Sequence, residues 1–84
     1  MAPGRTTDEG ARERSLTVVR VRAAGEDREV MFAESARIYR LLRANPSFGR
    51  ALRDLGAAAR SGRPLRVRFT EPHGDVIADV EVDP

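Results

Sequence analysis

The five residues LRVRF, Leu65 to Phe69, alternate apolar side chains with arginine, a pattern that a helix cannot use. A two-residue period sends successive side chains to opposite sides, and an extended strand exploits it by burying one side and wetting the other. The same period recurs in LTVVRVR, residues 16–22, and in EVMF, residues 29–32. Each such stretch exposes a row of backbone donors and acceptors, so the chain must pair them with one another.

Turn residues indicate how they pair. Gly25 and Glu26 suit a tight hairpin turn between the first two stretches, which sets Val21 against Val30, Val19 against Phe32 and Arg22 against Glu29. Apolar pairs then share one face and the charged pair lies on the other, so the register agrees with itself. A second hairpin is expected over residues 65–82, with His73 and Gly74 at its turn, Arg68 opposite Asp79 and Arg66 opposite Glu81. Its inner face would hold Leu65, Val67 and Phe69 against Val76, Ala78, Val80 and Val82. Cross-strand ion pairs of this kind contribute about 0.2–1 kcal/mol each. The strand arginines therefore have a structural role before any other.

Between the hairpins the period changes. Read as a helix, SARIYRLLRAN (residues 35–45) gathers Ile38, Leu41 and Leu42 on one face, with Arg37, Arg40 and Arg43 opposite and Ser35 as N-cap. Pro46 pushes Asn45 out of the helical region. Ser47 then caps a second helix whose inner stripe is Phe48, Ala51, Leu52, Leu55 and Ala59, and Gly62 followed by Pro64 stops it. The expected class is α+β in the order ββααββ. Its economical assembly is a four-stranded mixed sheet of order 2-1-4-3, β-grasp-like, packed on one face by two consecutive helices. Residues 1–15 are polar and aperiodic and are expected to form a disordered tail, leaving residues 16–84 as a single small domain.

Composition removes several chemistries. The chain has no cysteine and one histidine, and all fifteen basic residues are arginine. Disulfides and thiolate metal sites are excluded, and an activated nucleophile beside a base cannot be assembled. Glu71, His73 and Asp75 adjoin in one turn without a second histidine, too few convergent ligands for a stable metal site. Neither phosphate-loop nor dinucleotide glycine patterns occur. The C-terminal EVDP lacks the Gly-Gly tail of a β-grasp carrier protein. No cofactor is expected. The opening MAPGRTTDEGARERS has no apolar run, so neither a secretory leader nor a membrane anchor is expected, and the cytoplasm is the default compartment. Arginine with no lysine, alongside many Ala and Gly, reads as coding bias more than as selection for phosphate recognition.

Two surfaces remain as candidates. Residues 16–70 carry twelve arginines against five acids, while residues 71–84 carry five acids and no arginine. On the helical reading Arg37, Arg40, Arg43, Arg50, Arg53 and Arg60 form a polyanion-binding face that only Glu34 and Asp54 lie near enough in sequence to offset. On the strand reading Leu16, Val18, Met31 and Ile77 point away from the core, rimmed by Arg20, Arg22, Arg66, Asp79 and Glu81, as a face for association. Because so short a chain buries little apolar surface, covering that face with a second copy would add stability. The expectation is a non-catalytic module that binds itself or another protein. The alternative is a nonspecific nucleic-acid-binding accessory protein.

Overall fold

The computed structural model describes residues 13–82. Its elements in chain order are β1 (Glu13–Leu16), β2 (Val18–Ala24), β3 (Asp27–Phe32), β4 (Ile38–Leu41), α1 (Phe48–Ser61), β5 (Leu65–Phe69) and β6 (Ile77–Val82). The strands form two three-stranded antiparallel sheets, β2-β3-β4 and β1-β5-β6. This corrects the expected four-stranded sheet under two helices. Among the described residues there are two sheets and one helix, and the β-grasp-like order 2-1-4-3 is not formed. Residues 1–12 of the expected tail lie outside the described residues, and Glu13–Ser15 belong to β1.

The hairpin of β2 and β3 turns at Gly25, whose φ of +65° is one that side-chain-bearing residues adopt only with strain. Val21 pairs with Val30 and Arg22 with Glu29, as the alternation requires. Further along, the register shifts between Val18 and Arg20, so that Val18, not Val19, stands opposite Phe32. Val19 is the extra residue of a β-bulge, which reverses the facing of everything before it. Leu16 and Val18 are consequently buried at 1% and 3% exposure, whereas Val19 is 61% exposed. The β5–β6 hairpin repeats the device. Arg66 pairs with Glu81 and Arg68 with Asp79 as expected, but a second bulge sets Phe69 opposite Ile77. Ile77 and Val80 enter the core, Val76 and Ala78 are half-buried, and Val82 is exposed.

The segment read as a first helix is strand β4, paired with β3 through Val30–Tyr39 and Met31–Ile38. Three apolar residues within five positions satisfy either period, and here the free edge of β3 decides. Tyr39 and Leu41 are buried and Ile38 is exposed, the facing of a strand. Tyr39 sits between Phe32 and Phe69, with ring centroids 5.3 and 5.1 Å away. Its hydroxyl lies 3.0 Å from Ser35 Oγ, so Ser35 serves a buried phenol instead of a helix end.

Helix α1 keeps the expected position. Ala51, Leu55 and Ala58 are buried, with Phe48, Leu52 and Ala59 packed beside them. The Ser47 side chain makes no capping bond. Asn45 organises this end instead, its Oδ1 accepting from the Ser47 amide at 2.7 Å and its carbonyl from the Phe48 amide at 2.9 Å. Gly62, at φ +74°, closes the helix with its amide donating to the Ala58 carbonyl.

The two sheets share a chain and nearly share an edge. Only Thr17 separates β1 from β2, and at the opposite side Arg40 forms a single parallel bridge with Val76, its amide donating to the Asp75 carbonyl at 2.8 Å. Beyond that bridge β4 and β6 diverge, and Asn45 Nδ2 fills the seam by donating to the Ile77 and Ala78 carbonyls at 3.2 and 2.9 Å. The strands thus run β1-β5-β6, across the seam to β4-β3-β2, and back through Thr17. They form a partly open barrel around Val30, Phe32, Tyr39, Leu41, Val67, Phe69, Ile77 and Val80.

Candidate functional site

Barrel closure commits one side of every strand to the core, so function must sit on what the other side presents. On the β2-β3-β4 sheet the registers define two outward rows, Arg20–Met31–Ile38 and Arg22–Glu29–Arg40. Two arginines come from β2 because residues 20 and 22 share a strand face. The third comes from β4 because Arg40 alternates with buried Tyr39 and Leu41. Ile38 is 43% exposed at the edge of the first row, with half-buried Met31 beside it.

The acids of this face are already engaged. Glu29 Oε1 accepts from Arg22 Nε at 2.8 Å, and Asp27 lies 3.5 Å from Arg40 while accepting the Arg43 amide at 2.8 Å. Arg20 has no ion pair among the described residues. At the margin, the Arg37 guanidinium donates to the His73 carbonyl at 3.0 Å and lies over the Tyr39 ring. It holds the 70–76 turn against β4. The face is cationic with an apolar strip, and each of its carboxylates faces a guanidinium.

The expected arginine face is not formed as one surface. Arg37, Arg40 and Arg43 lie on or beside β4, leaving Arg50, Arg53 and Arg60 on α1. Arg50 is spent on Asp54, Asp79 and the Val80 carbonyl. Arg43 shares the Phe48 ring with Arg28, their guanidinium carbons 5.4 and 5.5 Å from its centroid. Arg53 and Arg60 are exposed. The expected association face is corrected too: Leu16, Val18 and Ile77 are in the core, and only Met31 faces outward, half-buried. Counting alternation through the two bulges had reversed their facing.

Three other places on the surface bear on a site. A cleft of about 290 Å³ on the β1-β5-β6 sheet gathers Arg50, Arg66 and Arg68 with Glu13, Asp79 and Glu81. Arg66 pairs with Glu81 and Arg68 with Asp79, so its charge is balanced internally. An open groove of about 480 Å³ runs along the seam between residues 42–47 and 70–78, lined mainly by apolar atoms of Leu42, Pro46, Val76 and Ile77. Among the described residues no three His, Asp or Glu side chains are gathered to hold a metal ion, Glu71, His73 and Asp75 included. No helix of the described residues is long and apolar enough to cross a membrane.

Among the described residues Glu34 is the one group whose titration is displaced. Its Oε1 accepts the Thr17 amide and its Oε2 the Thr17 hydroxyl, both at 2.8 Å, at the single residue joining the two sheets. Burial pushes this carboxyl up, but the Thr17 amide and hydroxyl, its own amide and the charge of Arg14 outweigh that, and its pKa falls below the ordinary 4.5.

Alternation in the sequence sets Arg20 and Arg22 together on one side of their strand, but only as the rim of an association face. The sequence reading names Arg40 for polyanion binding, but on a helix, so it does not bring the three together. Compared with known proteins, the chain matches no protein-family model, and neither a curated protein nor a solved structure shows significant similarity to it.

Proposed function

We propose that this chain is a nucleic-acid-binding accessory module, binding rather than catalytic, that holds a strand across the outer face of β2-β3-β4. One observation carries the reading: Arg20, Arg22 and Arg40 converge on one sheet face around an apolar strip, with every carboxylate of that face paired. The path of the chain supports it. Counting β1 and β2 as one strand broken at Thr17, five strands form a partly open barrel with the helix between the third and fourth. This is the plan of the OB-type barrel, whose second and third strands present a face used for oligonucleotides and oligosaccharides. Here those strands are β3 and β4. The architecture is precedent at the level of fold alone, and the arginine pattern supplies the chemistry. The compartment proposed for this role is the cytoplasm, where nucleic acid is present.

Among the described residues Arg20 is free, while Arg22 and Arg40 must be shared with Glu29 and Asp27, so one to three phosphates are neutralised. The slope of log affinity on log salt then lies between about −0.7 and −2, and raising salt from about 50 to 200 mM should weaken binding roughly 3- to 20-fold. Fluorescence anisotropy of a fluorescein-labelled thymidine 20-mer measures this directly. The joint replacement Arg20→Gln, Arg22→Gln and Arg40→Gln should abolish binding with the circular dichroism spectrum unchanged, and Glu29→Gln, which frees Arg22, should tighten it. Replacing Arg53 and Arg60, on the helix, should leave affinity within about twofold, since exposed charges beyond a Debye length are largely screened. The reading is abandoned if the wild-type chain does not bind at low salt, or if the helix substitutions weaken binding more than those on the sheet.

A further inference from the structure

Resting on that reading, we infer that the face grips a nucleic-acid strand by its phosphodiester backbone alone and leaves the bases in water. The argument is an inventory of rings. The whole chain contains three phenylalanines, one tyrosine and no tryptophan. Phe32, Tyr39 and Phe69 are buried at 3%, 1% and 3% exposure. Phe48, on α1, already carries the guanidiniums of Arg28 and Arg43. No aromatic ring is therefore left among the described residues for the outer face of β2-β3-β4, whose larger apolar groups, Met31, Ile38 and the exposed bulge residue Val19, are all aliphatic.

Base recognition by single-strand binders depends on such rings, each stacked base being worth roughly 5- to 150-fold in affinity. This face instead offers guanidiniums at strand spacings, two along β2 about 6.7 Å apart and a third across the sheet, about 9.6 Å from its row partner. Those groups meet phosphate oxygens, which carry no sequence information. The module is thus blind to base identity and indifferent to whether bases are present. The one remaining flat ring, the imidazole of His73, stands in the 70–76 turn at the margin of the face.

The test compares a labelled thymidine 20-mer with an abasic 20-mer of the same backbone, with inorganic polyphosphate as competitor. The two strands are expected to bind within about threefold of each other, and polyphosphate to displace both. Ile38→Tyr, at an exposed position, installs the missing platform and should favour the base-containing strand over the abasic one by at least 5-fold. Thymidine binding more than 10-fold tighter than abasic in the wild-type chain overturns the inference while the proposed function stands. So does a loss on His73→Ala confined to the base-containing strand, or an Ile38→Tyr variant that gains no preference. Failure of both strands to bind at low salt removes the proposed function itself, and this inference with it.

Discussion

Val18→Ala and Val19→Ala differ by one position in the chain and, because of the bulge, by nearly everything in their effect. Val18 is 3% exposed opposite Phe32, and Val19 is 61% exposed and unpaired. Truncating Val18 removes two buried carbons, worth about 0.8 kcal/mol each. The space left behind adds a cavity term, so the total should be roughly 2–3 kcal/mol. Truncating Val19 removes atoms already in water and should cost less than about 0.5 kcal/mol. A domain of this length has a total stability of roughly 4–13 kcal/mol, so the Val18 variant still folds and can be measured. Urea unfolding followed by circular dichroism is the assay. With a slope near 1 kcal/mol per molar, the midpoint should fall by about 2 M for Val18→Ala and by under about 0.5 M for Val19→Ala. Unbroken alternation through residues 16–22 requires the reverse order. If Val19→Ala proves the costlier change, the bulge is misplaced and the burial of Leu16, which depends on it, falls too.

Asn45→Ala removes the amide that donates to the Ile77 and Ala78 carbonyls; it should cost about 2 kcal/mol and lower Tm by roughly 10 °C in a thermal scan, and an unchanged Tm would mean that water serves those carbonyls equally well. Glu34 has a folded pKa below its unfolded one, so its contribution is present above the ordinary 4.5 and disappears as pH falls through the lowered value. The stability difference between wild type and Glu34→Gln should accordingly favour wild type near neutral pH and vanish in acid, and a pH-independent difference would refute the Thr17 latch. His73 has φ +64° in the β5–β6 turn, where a β-branched residue is strained, so His73→Val should destabilise by roughly 1–2 kcal/mol in the same urea assay.

The sequence alone determined the strands of the second hairpin, the pairing of Val21 with Val30 and of Arg22 with Glu29, and the helix Phe48–Ser61 with its Gly62 stop. These rest on signals carried within a few residues: a period, a turn glycine, a stop. It also placed Arg20 and Arg22, two of the three arginines of the candidate site, on one side of their strand. Three things were decided only in three dimensions. Ile38–Leu41 is a strand because β3 offers an edge to it, a neighbour that its own four residues cannot announce. Tyr39 is then buried between two phenylalanines and Arg40 is delivered to the cationic face. The bulges at Val19 and Ala78 each insert one residue into a two-residue period, so the alternation stays visible while its assignment to inside and outside inverts. Facing in a sheet is a parity, and parity is settled by what the strand closes against.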